Sequence, residues 1–549
     1  MEGFLNPMID NTNYSHSLTF SLLFSATSLS FLSLSLSIIF ISIVHLKLFK
    51  KYFFKNKHFP PLPPGPSPWP ILGCVLEMWR NRPAYRWIHR LMGELDTDIA
   101  CVRLGNSHAI AVSSPEIARE FLKKHDAVFA SRPVTMATRI LSHGFITTGV
   151  VPWGEQWRKM RRVLVYEVFN QSRVRWLLDK RNEEADNLVR FLYNQCSRSF
   201  TGEVVNVRTA AQHYSASVMR RMMFNRRYFG KGREDGGPGF EVEEHVSALF
   251  TMLLHVYCFC ISDYLPWLTS FDVDGHRKTV CNAMKVINKY QDPIVNDRIL
   301  EWREGKKTEP EDLLDVFISL KGSNGHPLLS DEEVRAQVTE LFLAVVDNPF
   351  SAAEWALSEM LNQPDILEKA VEELDKVVGQ NIFLQESHIP HLPYLVACAR
   401  EALRLHPVAP FNLPHVSTSD CTIAGGRYFI PKGSSVLLSR IGLGRNPAVW
   451  EDPLRFYPDR HLVDHHADLA ETKLRFISFT TGRRGCIGVG LGTNITVMLL
   501  GRLLQGFTWN IPHGLEKIDL GEAVSLFKAT PLFAHAKPRL NPSVYHSLM

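Results

Sequence analysis

The stretch SFTTGRRGCIGVGLGTNITVMLLGRLL, residues 478 to 504, places one cysteine, Cys486, in a glycine-flanked loop directly before an apolar helix. A thiolate there has its charge stabilised by backbone N–H groups, the helix N-terminus and the nearby Arg484, so it can stay deprotonated as a metal ligand. Gly482, Gly485 and Gly488 let the backbone approach a flat partner closely. The plainer reading of a lone cysteine is a buried structural residue in a turn. Against it stands the spacing Phe479-x-x-Gly482-x-Arg484-x-Cys486-x-Gly488, which fixes five positions at once.

A second feature is a helix with a flaw. ELFLAVVDNPFSAAEWAL, residues 340 to 357, has helical apolar spacing with Pro349 in its middle. An interior proline removes a backbone hydrogen bond and costs about 3 kcal/mol. Ser330 with Glu333 makes a capping box at the start, and Asn362-Gln363-Pro364 closes the end. One helix over that span is about 45 Å long, so its midpoint would lie in the interior. Pro349 cannot bond the carbonyl of Val345, and Asn348 with that carbonyl would then hold water or substrate polar groups. A tolerated kink is the structural alternative.

The chain of 549 residues is 45% hydrophobic and 21% charged, a globular composition whose length alone suggests about three domains. A formal charge of +5 is too mild to argue a nucleic-acid partner. Nine cysteines without a CxxC pair disfavour a disulfide scaffold or zinc site and suit a reducing compartment. HLVDHH (461–466) invites a metal reading, but a short polar loop of this kind is more simply solvated.

Residues 11 to 46 contain no Asp, Glu, Lys or Arg, and Leu18 to Val44 is long enough to span a bilayer. Lys47, Lys50, Lys51, Lys55 and Lys57 follow, so the positive-inside rule puts everything downstream in the cytosol. The expected organisation is a lumenal tail (1–17), a single transmembrane anchor (18–45), a basic and proline-rich hinge (46–70) and a catalytic domain (71–549). A cleaved signal peptide fits less well, because the cationic block follows the apolar run. The Asn13 sequon lies too near the membrane to expect its use. PPLPPGPSPWPILG (60–73) reads as a stiff extended spacer. The body reads as mainly α with small β sheets, including a hairpin over 98–105 and 108–113 and strand pieces within 425–439.

The cysteine loop resembles the haem-binding loop of the cytochrome P-450 haem-thiolate monooxygenases. Three distant segments agree with it in order: Trp157-x-x-x-Arg161, the Glu401-Ala402-Leu403-Arg404 helix face, and FYPDRH with Arg460. The usual acid-Thr-Thr/Ser of the long helix is replaced by Asp347, Asn348 and Pro349, the arginine after Pro414 by His415, and an aromatic by His461. With these departures the chain is similar to the plant amino-acid N-monooxygenases that form aldoximes.

The resemblance implies haem b with Cys486 as axial thiolate ligand. It also implies haem contacts from Arg132, Trp157, Arg161, His415, Phe479, Gly482, Arg484 and Gly488, and a buried charge cluster of Glu401, Arg404 and Arg460. Asp347, Asn348 and Pro349 are the expected catalytic residues. The implied reaction is two successive N-hydroxylations of an L-amino acid, then loss of water and carbon dioxide, as in cyanogenic glycoside or related defence and volatile biosynthesis. It consumes O2 and NADPH, the latter through a membrane-bound NADPH-cytochrome P-450 reductase at the endoplasmic reticulum. The chain has no dinucleotide signature of its own, since GVGLG (488–492) does not fit GxGxxG. Arg158, Lys159, Arg161, Arg162 and Arg173 form a candidate docking surface.

Arg139 is the expected partner of the substrate carboxylate, with Phe145, Val408, Phe411 and Phe527 as apolar pocket residues suited to phenylalanine. Valine, isoleucine and tyrosine remain open. So do an ordinary C-hydroxylase, a haem-thiolate isomerase and a non-enzymatic haem sensor.

Overall fold

The computed structural model describes residues 59 to 549 apart from 197–202, 257, 465–467 and 549, together with scattered positions between 33 and 44. Those scattered positions are helical, and all but Val44 fall in a short apolar helix, Ser33–Ser42. Most of the anticipated anchor, the Asn13 sequon and the lysine block lie outside the described residues. Among the described residues, one stretch is long and apolar enough to cross a membrane, Phe240–Tyr264; it belongs to the body and is about half buried there.

From Leu62 to Met549 the chain forms one compact unit. The three domains suggested by length are thus one, because a single hydrophobic cluster runs from Ala137 to Tyr545 and couples segments far apart in sequence. Four strands make the first sheet: β1 (Ile99–Leu104), β2 (Ser107–Val112), β4 (His415–Val416) and β7 (Ser435–Leu438), in the order β1-β2-β7-β4. The expected hairpin is present, with Ile99 opposite Val112 and Leu104 opposite Ser107. A second sheet joins β3 (Glu203–Asn206), β9 (Phe533–Pro538) and β8 (Phe507–Asn510), and a third pairs β5 (Cys421–Ile423) with β6 (Tyr428–Ile430).

The proline-rich segment is not wholly a spacer. Pro64 accepts the Cys101 N–H at 2.7 Å, and a Cβ on Gly65 would lie 1.8 Å from the Cys101 carbonyl oxygen, so the segment is packed on β1. Proline lacks a donor but keeps an acceptor, which suits it to one side of a strand edge.

The helices that matter for the site are α1 (Met136–Leu141), α2 (Glu155–Val163), α3 (Val207–Phe224), α4 (Asp331–Val346), α5 (Asn348–Asn362), α6 (Pro393–Leu405) and α7 (Val489–Gly506). α5 packs on α3, α6 and α7, which sets it in the centre of the helical layer. The capping box at Ser330 is formed, the Glu333 carboxylate accepting the Ser330 N–H at 2.8 Å. That carboxylate also holds Lys159 at 2.7 Å, tying α2 to the start of α4.

The single 330–362 helix anticipated from sequence is two helices. α4 ends at Val346, Asp347 is the joint, and Pro349 falls in the first turn of α5. At that position a missing N–H costs nothing, because the first-turn donors have no intrahelical partner. The proline therefore starts a helix instead of distorting one.

Candidate haem-thiolate site

The 478–488 loop is pinned from several sides. Cys486 N–H donates to the Phe479 carbonyl at 2.9 Å and Gly488 N–H to the Cys486 sulfur at 3.3 Å. Gly482 has φ +76°, and a Cβ there would lie 2.5 Å from the Leu122 carbonyl oxygen, so both its conformation and its surroundings require glycine. A Cβ on Gly492 would meet the Phe479 ring at 3.0 Å, which seats that ring against the first turn of α7.

Cys486 is exposed in the structure. Burial pushes the Cys486 thiol up, while the Gly488 N–H and the charges of Arg161 and Arg440 pull it back. A ligated metal would reverse that rise and hold the sulfur as thiolate.

α2 brings Trp157 and Arg161 to the loop. Arg161 donates to the Gly485 carbonyl at 2.8 Å, and the Arg484 guanidinium lies 4.7 Å from the centre of the Trp157 ring. Arg484 also donates to the carbonyls of Ala130, Thr148 and Val151. Arg132 donates to Gly149, Leu413 and Pro414 carbonyls. Glu340 on α4 organises this region by accepting from Thr147 Oγ1 and from the N–H groups of Thr148 and Gly149. Sequence reading missed Glu340, since nothing local distinguishes it from a solvated helix glutamate.

Burial, reinforced by Arg132 and Arg161, pushes Arg484 down to about 8. This much crowded positive charge suits a ligand edge bearing carboxylates. His415 sits beside it, fully buried, its Nδ1 2.9 Å from the Phe129 carbonyl. Burial and Arg132 keep His415 neutral, with its pKa far below the usual range. If Nδ1–H donates to Phe129, Nε2 is left as an acceptor facing the Asn412 amide at 3.5 Å. A neutral His415 with that tautomer therefore positions the 412–415 turn and does not offer an N–H to an anion.

The cytochrome P450 family profile matches residues 63–534. The chain belongs to the cytochrome P450 family. It is 67% identical over 518 residues to a tryptophan N-monooxygenase of Prunus mume, covering 93% of this chain and 97% of that one. It is 55% identical to a phenylalanine N-monooxygenase of Arabidopsis thaliana, covering 88% and 92%. A zebrafish cytochrome P450 solved with abiraterone superposes with a TM-score of 0.66 at 23% identity, over 84% of this chain and all of that chain, which supports the fold.

A cytochrome P450 carries a haem-thiolate iron and uses dioxygen, and the residues here fit that group: one accessible sulfur with a backbone N–H on it, glycines beside it, and converging guanidiniums. Cys486 would hold the iron through its thiolate, and Trp157, Arg161, Arg132 and Arg484 would hold the carboxylate groups.

In this P450 the charge cluster is larger than expected. Glu401 takes a two-point contact from Arg404 at 2.7 and 2.8 Å, Arg460 at 3.1 Å, the Tyr457 N–H at 2.9 Å and His461 Nε2 at 2.8 Å. Despite burial, these partners hold the Glu401 carboxyl down at about 2. His461, a departure from an aromatic and the first residue of the HLVDHH stretch expected to be solvated, is instead buried and a full member.

At the α4–α5 joint Asp347 is buried, and burial lifts its carboxyl to about 7 while Arg440 opposes the rise. Asn348 Nδ2 donates to Asp347 Oδ1 at 2.7 Å and reaches the Ala344 carbonyl at 3.5 Å, so its amide is engaged within the joint.

The expected substrate contacts fare unevenly. Arg139 is exposed on α1, its guanidinium 5.3 Å from the Phe145 ring centre, and it does not line the cavity of about 370 Å³ bounded by the 131–138, 256–264 and 410–416 segments. The reason is helical phase: α1 buries Ala137, Thr138 and Leu141 and turns Arg139 outward. Phe411 does line that cavity, stacked on His89. Phe145, Val408 and Phe527 do not line it; Phe527 packs edge-on to Phe250 and against Phe350.

Proposed function

We propose that this cytochrome P450 converts an aromatic L-amino acid to its aldoxime by two N-hydroxylations followed by loss of water and carbon dioxide. When bound, the haem activates dioxygen, with the thiolate favouring O–O cleavage. Each hydroxylation consumes one O2 and one NADPH and releases one water; a third water and carbon dioxide leave in the closing steps. Supporting this reading is the Asp347-Asn348-Pro349 joint, which puts a buried acid and an amide where a helix hydroxyl would otherwise stand. A carboxyl lifted to about 7 is half protonated at neutral pH and can pass a proton in either direction.

Phenylalanine is the substrate favoured by the sequence alone. The relative at 67% identity is named for tryptophan, so tryptophan is tested first. The test is microsomal expression of the full chain with a reductase, a panel of protein amino acids, and assay of aldoximes. Aldoxime from an aromatic amino acid is expected, and none from any amino acid sinks the reading in favour of C-hydroxylation.

Replacing Asn348 and Pro349 together by Thr is expected to lower aldoxime formation at least about tenfold, a loss typical of misplacing a proton-handling group. Turnover equal to wild type would remove the joint from the mechanism.

Electrons would come from NADPH through a membrane reductase. Of the basic surface proposed to meet it, Lys159 is engaged by Glu333 and Arg161 by Gly485, whereas Arg158 and Arg162 are exposed. An anchor at the endoplasmic reticulum membrane, with the body cytosolic, is supported by the uncharged run 11–46 and by exposed Trp69, Trp79, Trp267 and Phe271 on the body. Substituting Arg158 and Arg162 by Glu is expected to slow reduction by the reductase several-fold at low salt, read by stopped flow, and to leave amino-acid binding spectra unchanged.

A further inference from the structure

The peptide unit joining Thr148 to Gly149 lies between two opposite charges. Its N–H, on Gly149, donates to Glu340 Oε1 at 2.8 Å, and its carbonyl, on Thr148, accepts from Arg484 at 3.2 Å. The two flanking peptide units follow the same rule: the Thr148 N–H donates to Glu340 Oε2 at 2.9 Å, and the Gly149 carbonyl accepts from Arg132 at 3.2 Å. A peptide dipole is positive at its N–H and negative at its oxygen, so every one of these contacts meets it with the favourable sign. Linked in this way, away from bulk water, such bonds polarise and strengthen one another.

Both oxygens of Glu340 have further partners. Thr147 Oγ1 donates to Oε1 at 2.7 Å, and the Gln337 amide donates to Oε2 at 3.2 Å. A Cβ on Gly149 would crowd Oε1 at 3.2 Å, so glycine at this position lets the carboxylate close on the chain. Glu340 itself is half-buried on α4.

The charges around this carboxylate have a definite balance. Arg132 and Arg161 push the Arg484 guanidinium down, and Glu340 opposes them. Three guanidiniums and one carboxylate leave a surplus of two positive charges, and haem b bears two carboxylates. With Glu340 present the loaded set is neutral. Without it, one positive charge is left over in a partly buried place, which is costly.

We propose that Glu340 is a positioning residue of the haem-thiolate site: through the Thr148–Gly149 peptide it counters Arg132, Arg161 and Arg484, and thereby lowers the reduction potential of the iron. A fixed negative charge opposes the arrival of an electron, so it favours the oxidised protein. The role belongs to the haem site whichever substrate is turned over. It therefore goes beyond the aldoxime-forming reading and does not depend on it.

The test compares full-length wild type, Glu340→Gln and Glu340→Asp, each purified with its haem, by spectroelectrochemical titration in the absence of any amino acid. Glutamine removes the charge and keeps a carbonyl acceptor; aspartate keeps the charge and withdraws it by one methylene. At a fixed solution potential the ratio of ferrous to ferric protein is expected to rise at least about threefold in Glu340→Gln, the effect of one unit charge at an effective dielectric constant of about 20. Glu340→Asp is expected to show less than half of that rise, even where its unfolding temperature is lowered. An unchanged or falling ratio in Glu340→Gln overturns the proposal. So does an equal rise in both variants, which would make Glu340 a strut whose geometry alone matters. Should Glu340→Gln purify without haem, haem content by pyridine haemochrome decides instead. Haem kept by Glu340→Asp upholds the need for the charge, and haem lost from both variants overturns it.

Discussion

Cys486→Ser is expected to give a folded chain without haem and without measurable monooxygenation, a loss of at least about a hundredfold in turnover. The substitution changes one atom, yet that atom supplies both affinity and electronics. A thiolate is a soft, strongly donating ligand, whereas a serine hydroxyl stays protonated near neutral pH and binds iron weakly. The loop itself should survive, because its geometry comes from the Cys486 N–H to Phe479 bond, Gly482 and the Arg484 carbonyl contacts, none of which uses the sulfur. Haem content by pyridine haemochrome and far-ultraviolet circular dichroism separate the two effects. A variant that retains both pigment and turnover contradicts the ligand assignment.

Much of this was legible locally. The cysteine loop, the capping box at Ser330 and the β1–β2 hairpin each depend on residues a few positions apart, whose chemistry acts at that range. The break at Pro349 was legible as a defect but not as a joint: whether a proline kinks one helix or starts another depends on tertiary packing of both halves, and here α5 packs on α3, α6 and α7 on its own account. The pocket was the least legible part. It is assembled from six separate segments, and which side of a short helix such as α1 turns inward is settled by its neighbours; hence Arg139 points outward while Arg132, seven residues earlier, lines the cavity. Glu340 and His461 escaped for the same reason, because their partners lie far away in sequence, at 147–149 and at Glu401.

Glu401→Gln is expected to destabilise the protein by about 3–5 kcal/mol, the usual cost of removing one partner from a buried charged set. The side chain of Glu401 is fully buried, and it is the carboxylate shared by Arg404, Arg460 and His461. A glutamine keeps the shape and one acceptor but leaves buried guanidinium charge uncompensated. Arg404 also donates to the Gly444, Pro453 and Arg455 carbonyls, so its displacement would loosen the connection between α6 and the segment leading to the cysteine loop. Haem retention on mild heating should therefore fall together with the unfolding temperature. The pH dependence has a definite sign. Because the folded carboxyl is held at about 2, below the 4.5 of an ordinary glutamate, its contribution is complete above that ordinary range and is lost as the pH falls from 4.5 toward 2. Wild type should lose stability more steeply than Glu401→Gln across that interval, read as the rate of haem release at constant temperature. Parallel acid limbs in the two proteins would mean that Glu401 titrates alike in the folded and unfolded chain, and that the cluster contributes packing alone.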